Sequence, residues 1–489
     1  MITFRKKDDV YLEVVEGERS ELRMLSDYFT FKVPGAEFSP QYRNKFWDGK
    51  VRLFDSRNLT IYAGLWKDII KFSKDFDVDV LFEGTKYNFP GREQPIDENF
   101  IKGFIQALNV QSGGKPIEPR DYQVEAFIDA LRRQRMLVLS PTASGKSLII
   151  YMLIRWWREI HDRKILIIVP TISLVSQLIA DFSDYSGGSF DDVAGITGGQ
   201  TRDPDSRVVV STWQSIHKQP LKWFAQFGSV IVDEVHHAQA KSIQSIMKKL
   251  IVCPDRIGFT GTLQDTKTHE LVLKGLFGPI KKVITTKELM DRDQIAQMSI
   301  RMLQLKYNED NCKLVNKMKY QEEVEFICNN EQRNNYISKM ASTLKGNTLV
   351  VFSRLDHGKA LFEAIETDKQ KYYIAGETDK DQREVVRQLA ENNDVVIVAS
   401  LGVFSTGVNI KNLYNLIFAH PTKSKIKTLQ SVGRILRKTD DEKQAVVYDI
   451  IDDLKYKSRD NFALKHAKER YKYYTQENFN IKHFEIEIK

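Results

Sequence analysis

The chain has 489 residues, which is too long for a single hydrophobic core and predicts about two to four domains. Its hydrophobic share of 42% and charged share of 28% are those of a soluble globular protein. No apolar run approaches the ~20 residues that would cross a bilayer. The net charge of +8 favours an acidic partner such as nucleic acid, although many basic proteins bind none.

The N-terminus and the cysteines indicate the cellular compartment. The segment MITFRKKDDVYLEVVEGE mixes both charge signs and contains no apolar h-region, so it is not a secretory signal. Cys253, Cys312 and Cys328 lie far apart and form no metal-ligand spacing. These features predict structural thiols in a reducing interior, and therefore a cytoplasmic location.

Residues 1–95 predict a small basic α+β domain. Leu22, Leu25 and Phe29 recur at helical spacing, so the segment around them reads as a helix. The segment 88–99 concentrates Pro, Gly and polar residues, which is typical of a linker or domain edge. Stretches that read as strands are VYLEVVE (10–16), VRLFD (51–55) and VDVLFE (78–83).

From about residue 96 the pattern changes to alternating helices and buried strands. Continuous apolar runs, which are typical of parallel strands covered on both faces, succeed one another in two sets. The runs are MLVLS, KILIIVP, RVVVST, SVIVDE and RIGFTG, and later TLVVFS, DVVIVAS, NLIFAH and AVVYDII. They predict two doubly wound α/β domains in tandem, at 96–290 and 291–489, the second with a C-terminal helical tail.

The segment SPTASGKS (140–147) lies between the first of these strands and an apolar helix pattern. It ends in the Gly-Lys-Ser of a phosphate-binding loop, but Ser140 and Ala143 occupy positions where glycine is common. Lys146 would reach the β- and γ-phosphates, and Ser147 would hold Mg²⁺. Ala143 suits such a loop only with a negative φ, so we expect a functional ATP site with a slightly stiffer loop.

Two further segments carry groups suited to phosphate chemistry. SVIVDEVHH places Asp233 and Glu234 at the end of a buried strand, where parallel sheets bind ligands. Asp233 can hold Mg²⁺, and Glu234 can activate water as a general base. Arg434 and Arg437 are spaced i, i+3 in QSVGRILR, so a helix would present both on one face. Such a pair is usually a solvated face, but together with the loop and the carboxylates it favours an arginine finger.

In this order the segments resemble superfamily 2 helicases of the DExH type, from residue 118 to about 450. The matching segments are PRDYQ (119–123), SPTASGKS (140–147), VPTISLVSQ (169–177), STWQS (211–215), DEVH (233–236), TGT (260–262), VFS (351–353), ASLGVFSTGVNIKNL (399–413) and QSVGRILR (430–437). The resemblance implies two RecA-like domains, ATP with Mg²⁺ in the cleft between them, and a nucleic-acid track across the top.

The resemblance also implies roles for single residues. Gln123 would read the adenine edge, Gln430 would meet the γ-phosphate or the attacking water, and Arg437 would be the finger. The nucleotide-binding residues would be Arg120, Tyr122, Gln123, Ser140, Pro141, Thr142, Ala143, Ser144, Gly145, Lys146, Ser147, Gly407 and Asn409. The residues that couple ATP to nucleic acid would be His236, Thr260 and Thr262. Contacts to the phosphodiester backbone would come from Pro170, Thr171, Thr212, Ser353 and Thr406, although ordinary strand-end hydrogen bonding is the alternative for the hydroxyls.

The segment 37–55 of the N-terminal domain interleaves basic and aromatic residues. Its cations can meet phosphates, and exposed aromatic rings can stack on bases or wedge at a junction. Trp47 is predicted to anchor the local core, with base contact as the alternative. The predicted nucleic-acid contacts are Arg43, Lys45, Trp47, Lys50 and Arg52. A double-stranded RNA-binding fold is a possible comparison for this domain.

Taken over its whole length, the chain is similar to recombination and repair helicases. That similarity implies an ATP-driven 3′-to-5′ motor on branched DNA, which remodels forks, Holliday junctions and the RNA–DNA hybrids of R-loops. Recombination proteins and single-strand-binding proteins would be its partners. The alternatives are an RNA helicase, which DEVH in place of DEAD disfavours, a duplex translocase that separates no strands, and a binding protein with a degenerate ATP site.

Overall fold

The computed structural model describes most of the chain. The described residues are 1–84, 93–141, 143–197, 205–236, 241–263, 267–295, 297–376, 378, 385–386, 389, 393–406, 413–421 and 445–488. The chain divides into two compact units, of which one is Met1–Ser140 with Gly145–Val283 and the other is Ile284–Lys489 with Pro141–Ser144. Within the described ranges, no helix combines the length and the apolar character that a bilayer crossing requires.

The first unit begins with a mixed sheet in the order β5-β6-β2-β1-β7. Its strands are β1 (Ile2–Lys6), β2 (Tyr11–Glu16), β5 (Phe54–Asp55), β6 (Thr60–Tyr62) and β7 (Val80–Glu83), with β3 (Thr30–Lys32) and β4 (Lys50–Arg52) forming a separate hairpin. The helices are α1 (Arg19–Tyr28), α2 (Pro40–Arg43) and α3 (Trp66–Phe76). Strand β2 alternates as expected, with Leu12 and Val14 buried. The prediction of one strand over 51–55 was wrong, because β4 and β5 belong to different sheets and the chain changes direction at Leu53.

The same unit continues into a parallel sheet in the order β12-β13-β11-β14-β15-β10-β16. Its strands are β10 (Arg135–Leu139), β11 (Lys164–Val169), β12 (Val193–Ile196), β13 (Val208–Thr212), β14 (Phe227–Val232), β15 (Asp255–Thr260) and β16 (Ile280–Lys282), after a small hairpin of β8 (Gln111–Ser112) and β9 (Lys115–Pro116). The helices are α4 (Glu98–Ala107), α5 (Asp121–Arg133), α6 (Lys146–Ile160), α7 (Ile172–Tyr185), α8 (Trp213–Ile216), α9 (Leu221–Phe224), α10 (Lys241–Lys249) and α11 (Lys267–Phe277). Strands such as β14 are buried along their whole length, which explains their continuous apolar sequence.

The N-terminal domain packs directly on helix α11. A Cβ on Gly64 would lie 2.1 Å from the Lys274 carbonyl oxygen, so only glycine permits this approach of two backbones. Gly275 on the same helix faces the ring of Tyr62, and the Lys274 ammonium lies 3.7 Å from the Asp68 carboxylate. One cluster of buried apolar side chains continues from the small domain into the parallel sheet. The two domains of the first unit therefore form one packed body.

The second unit holds another parallel sheet, in the order β19-β20-β18-β21-β22-β17-β23. Its strands are β17 (Met298–Lys306), β18 (Asn347–Phe352), β19 (Gln370–Ile374), β20 (Val395–Ser400), β21 (Leu413–Phe418), β22 (Ala445–Asp453) and β23 (Asn480–Glu487). The helices are α12 (Thr286–Asp291), α13 (Glu309–Val315), α14 (Tyr320–Asn329), α15 (Glu331–Thr343), α16 (Leu355–Ala364), α17 (Leu401–Thr406) and α18 (Phe462–Gln476). Two tandem parallel sheets behind a small α+β domain confirm the predicted fold class.

Two buried ion pairs tie helices of the second unit to strand β22. The Arg333 guanidinium on α15 donates to the Asp452 carboxylate at 2.6 Å, and the Arg470 guanidinium on α18 donates to the Asp449 carboxylate at 2.6 Å. All four side chains are almost completely buried. Because an unpaired buried charge is costly, each pair fixes its helix in one position on the sheet.

The C-terminal tail agrees with its prediction only in part. It was expected to be helical, and α18 is helical, but β23 follows it and pairs in parallel with β17 at the edge of the sheet. The sequence NIKHFEIE explains the strand, since Phe484 and Ile486 alternate with charged or polar residues at the period of a strand.

We predict a pH-dependent stability that originates at Asp255. Burial raises the pKa of this carboxyl to about 7, against an ordinary value of 3.8, and the Ser229 hydroxyl donates to it at 3.2 Å. The folded state therefore binds the proton more tightly than the unfolded state, and its stability falls as pH rises from about 4 to about 7. We expect Asp255→Asn to remove this fall, on the order of 2–4 kcal/mol, in urea unfolding measured across that range.

The matched control for this measurement is Asp162→Asn. The Asp162 side chain is fully exposed, so its replacement should leave the pH dependence unchanged. Equal pH profiles for Asp255→Asn and the parent protein would show that Asp255 is ionised in the folded state.

Candidate active site

Three neighbouring strands bring the predicted chemical groups to one edge of the first parallel sheet. Strand β15 lies between β14 and β10, and all three run parallel, so their carboxyl ends meet. The Ser140 amide donates to the Thr260 carbonyl at 2.9 Å, and His236 Nδ1 lies 3.1 Å from Thr260 Oγ1. The Thr260 hydroxyl in turn donates to the Thr262 carbonyl at 2.8 Å. Thr260 thus connects the segment before the phosphate loop to the segment after Glu234.

The phosphate loop departs from its prediction at Ala143. Its φ is +66°, in the left-handed region, whereas a negative φ was expected. Position 143, where glycine is common in such loops, therefore has the left-handed backbone that favours glycine. Alanine adopts this backbone at a cost of roughly 1–2 kcal/mol. The Ser144 hydroxyl donates to the Pro141 carbonyl at 2.7 Å and closes the turn. The loop is strained by Ala143, not merely stiffened.

Gly145 ends the loop and starts helix α6 with a φ of +77°. A Cβ at this position would lie 2.3 Å from Gln123 Nε2, so the close approach also requires glycine. The Gln123 amide donates weakly to the Gly145 carbonyl at 3.4 Å and accepts from the Arg120 amide at 2.8 Å. Gln123 is therefore buried against the phosphate loop, and its reading of adenine stays a prediction.

Arg120 and Tyr122 occupy different environments. Tyr122 is buried, and its hydroxyl accepts from the Arg120 guanidinium at 2.9 Å. Tyr122 consequently orients the Arg120 guanidinium through this hydrogen bond. Its buried ring is not accessible for stacking on a base. Arg120 is half-buried at the start of α5.

Lys146 and Glu234 form an ion pair of 3.1 Å across 88 residues of sequence. Burial alone would lower the pKa of Lys146 and raise that of Glu234, but the opposite charges outweigh it. The pKa of Lys146 is raised and the pKa of Glu234 is lowered well below its usual range. His236 Nδ1 lies 3.2 Å from the second Glu234 oxygen, and Glu234 itself has a φ of +51°. The residues predicted to bind phosphate and to activate water are thus brought together as ions.

Asp233 and Ser147 supply oxygen atoms of the kind that Mg²⁺ prefers. Burial raises the pKa of Asp233 to about 6, and the neighbouring Glu234 adds to the rise against the opposing charge of Lys146. A buried carboxylate with this raised pKa would gain a counter-charge from a cation, so the donor set suits the metal. Ser147 lies at the start of α6, where its hydroxyl meets the Tyr185 hydroxyl at 2.7 Å. No sequence motif points to Tyr185, and the sequence analysis missed it.

The hydroxyls predicted to touch a nucleic-acid backbone differ in burial and in hydrogen bonding. Thr171 caps helix α7 by accepting from the Leu174 amide at 3.3 Å, directly after the half-buried Pro170. Thr212 is buried and shares a 2.9 Å hydrogen bond with Ser215, whereas Ser353 is exposed. For Thr212 the ordinary strand-end hydrogen bond is therefore the observed arrangement, and the nucleic-acid contacts of the others stay predictions.

The basic and aromatic segment of the N-terminal domain is mostly exposed. Lys45 and Lys50 are exposed, while the Arg52 guanidinium pairs with the Asp48 carboxylate. Arg43 Nε donates to the Glu37 carbonyl at 3.3 Å. Half-buried Trp47 donates its indole N–H to the Lys50 carbonyl at 2.8 Å, so it holds the turn together.

Two phenylalanines of the same segment are unusually exposed. Phe46 is 85% exposed and Phe38 is 71% exposed, although large aromatic side chains are normally buried. Phe46 was among the aromatic residues that the sequence indicated, and Phe38 was missed because nothing in its immediate neighbours distinguishes it from a core residue. Together they give this basic surface two flat apolar faces.

Several predicted site residues lie outside the described part of the structure. They are Thr142, Gly407, Asn409, Gln430, Arg434 and Arg437, and also the side chain of Thr406. Their roles in nucleotide binding, in the arginine finger and in nucleic-acid contact stay predictions.

Three features define a nucleotide-hydrolysing motor of helicase superfamily 2. They are a Gly-Lys-Ser turn between strand and helix, a lysine paired with a strand-end glutamate, and two parallel sheets in tandem. Three sequence families match successive parts of the chain: "DNA helicase UvsW, N-terminal" at residues 2–83, "Type III restriction enzyme, res subunit" at 116–265, and "Helicase conserved C-terminal domain" at 332–439. The ATP-dependent DNA helicase UvsW of Enterobacteria phage T4 is 37% identical over 479 residues, which cover 94% of each chain. The chain therefore belongs to the UvsW family of ATP-dependent helicases.

Other comparisons agree with this assignment. The crystal structure of T4 UvsW covers 100% of both chains at 36% identity, with a TM-score of 0.54. The DNA 3'-5' translocase XPB2 of Sulfurisphaera tokodaii is 27% identical over 409 residues, which are 76% of this chain and 89% of the relative. The predicted resemblance over the whole chain is confirmed, and the enzyme is an ATP-dependent helicase.

We predict that Ala143→Gly stabilises the protein. Glycine removes the left-handed strain but adds freedom to the unfolded chain, so the net gain should be below about 1 kcal/mol in urea unfolding. ATP hydrolysis should be retained, because the loop already has the glycine conformation. The matched control is Ala360→Gly, at an exposed position inside helix α16, where the same change should destabilise. A loss of stability in Ala143→Gly as large as in the control would contradict the assigned strain.

Proposed function

We propose that this helicase acts on branched DNA, and remodels forks, Holliday junctions and R-loops in recombination, repair and replication. The observation that carries the proposal is the 37% identity to a DNA helicase along 94% of the chain, N-terminal domain included. The net charge of +8 and the exposed lysines and phenylalanines of the segment 37–55 support it, because they suit phosphates and unstacked bases. We place the enzyme in the cytoplasm of the host cell, with recombination or single-strand-binding proteins as partners.

The proposed chemistry uses the phosphate loop, the two strand-end carboxylates and the arginines of QSVGRILR. Lys146 binds phosphate oxygens, and in doing so it leaves Glu234, whose carboxylate then lacks its nearest counter-charge. The pKa of Glu234 rises as a result, which makes it a better acceptor for the proton of the attacking water. Ser147 and Asp233 would hold Mg²⁺, which when bound neutralises charge on the phosphates. Arg437, with Arg434 as the alternative, would supply the finger.

The small domain gives the motor its preference for branches in this proposal. Its attachment to α11 through Gly64 makes it part of the body that also carries the phosphate-binding lysine. Two exposed rings in the segment that also carries Lys45 and Lys50 are suited to stack where a duplex opens into single strands. A linear duplex offers no unstacked bases, so it would lose these contacts.

Glu234→Gln tests the assignment of the general base. We expect hydrolysis to fall by about 10²–10⁴-fold, since glutamine cannot accept the proton, while nucleotide binding survives. Steady-state ATPase rates and equilibrium binding of a fluorescent ATP analogue measure the two quantities separately. Unchanged turnover would show that another group accepts the proton and would overturn the assignment of Glu234.

A substrate comparison tests the choice of DNA branches. ATPase stimulation should be strongest with forked or four-way DNA, weaker with linear duplex and weakest with single-stranded RNA, and a forked substrate should be unwound. Strongest stimulation by RNA would refute the proposal, and stimulation by duplex without strand displacement would indicate a translocase.

The salt dependence of DNA binding tests the segment 37–55. Reversal of charge at both Lys45 and Lys50 should weaken DNA binding and lower the slope of log affinity against log salt by up to about two. The control is charge reversal at Lys71 and Lys74, two exposed lysines on α3 of the same domain. If the control pair has the larger effect, the DNA contact lies on α3 instead.

A further inference from the structure

The hydroxyl of Ser147 has a specific protein partner. Ser147 Oγ lies 2.7 Å from Tyr185 Oη, and the two residues are 38 positions apart in the sequence, at the start of α6 and the end of α7. A serine hydroxyl carries one proton and two lone pairs, and a metal ligand must offer a lone pair. The position of the proton therefore decides whether Ser147 can serve the metal.

We propose that Tyr185 is a positioning residue that accepts the Ser147 proton and so turns the serine lone pairs toward Mg²⁺. The inference rests on the proposed role of Ser147 in holding the metal. Partners that orient a ligand in this way commonly change metal affinity by about 10–100-fold when they are removed. Tyr185 touches neither nucleotide nor metal in this role and acts only through Ser147.

Tyr185 is held firmly enough to orient another side chain. Its ring packs against Tyr151 on α6 with 5.5 Å between ring centroids. The preceding residue, Asp184, accepts from the Gly113 amide at 2.9 Å and ties the end of α7 to the β8–β9 hairpin. One helical turn earlier, Phe182 is fully buried in the core. These three contacts hold the Tyr185 ring and the end of α7 in place.

The chemistry of the phenol allows this role. A phenol hydroxyl can accept a hydrogen bond as well as donate one, so Tyr185 can receive the Ser147 proton across the observed 2.7 Å.

The alternative is a purely structural hydrogen bond that joins α6 to α7. The two interpretations differ in what Tyr185→Phe should change. If the bond is only structural, its loss lowers the free energy of unfolding and changes the affinities for metal-bound and metal-free nucleotide equally. A positioning bond changes only the affinity that depends on the metal.

The test is equilibrium binding of ADP without any nucleic acid, measured with Mg²⁺ and again with EDTA, and followed by Mn²⁺ binding to the ADP complex by EPR. In Tyr185→Phe we expect Mn²⁺ affinity to fall about 10-fold, with metal-free ADP affinity changed less than about two-fold. The double variant Tyr185→Phe with Ser147→Ala should bind Mn²⁺ no more weakly than Ser147→Ala alone, because Ser147→Ala already removes the hydroxyl through which Tyr185 acts.

Tyr151→Phe is the matched control. It removes a hydroxyl from the adjoining ring, one that accepts from the Arg155 guanidinium at 2.6 Å, and it should leave both affinities unchanged. Equal losses with and without metal, or no loss at all, would overturn the positioning role. Because no DNA is present, this outcome is independent of whether the enzyme prefers branched substrates.

Discussion

The ion pair between Lys146 and Glu234 is the interaction on which the rest of the site depends. It exists because a parallel sheet collects the carboxyl ends of β10 and β14 at one edge, although 88 residues separate the two side chains in the chain. Both groups are sheltered from water, and each alone would tend to lose its charge. Together they remain charged, which keeps a phosphate-binding cation and a base ready in a poorly solvated place.

The pair also restrains both partners. A lysine that is already paired with a carboxylate exchanges one anion for another when phosphate binds. Little additional water is therefore removed from its ammonium group. The strand between the partners carries Thr260, whose backbone and hydroxyl contact the segments on either side. A displacement of one segment therefore also shifts the other. This connection gives a physical basis for the coupling role that the family resemblance assigns to His236 and Thr260.

The sequence was sufficient for the two parallel sheets and for the positions of Lys146 after β10 and Glu234 after β14, because buried strands and strand-end residues leave a pattern along the chain. It did not predict that these two side chains pair with each other. The φ of Ala143 was predicted with the wrong sign, since the local sequence shows which residue is present but not which conformation the turn requires. The contacts of Tyr185 with Ser147 and of Gly64 with α11 join distant segments that carry no shared pattern. Only tertiary packing brings such pairs together.

The contact of Gly64 with α11 has a mechanical consequence. Two backbones in direct contact leave no flexible side chains between them to absorb a shift, so the small domain must follow any rotation of the helix on which it is mounted. Helix α11 comes soon after Thr260 and Thr262 in the chain. The small domain therefore moves as one body with α11, and any tilt of this helix also displaces the surface that bears Phe38 and Phe46.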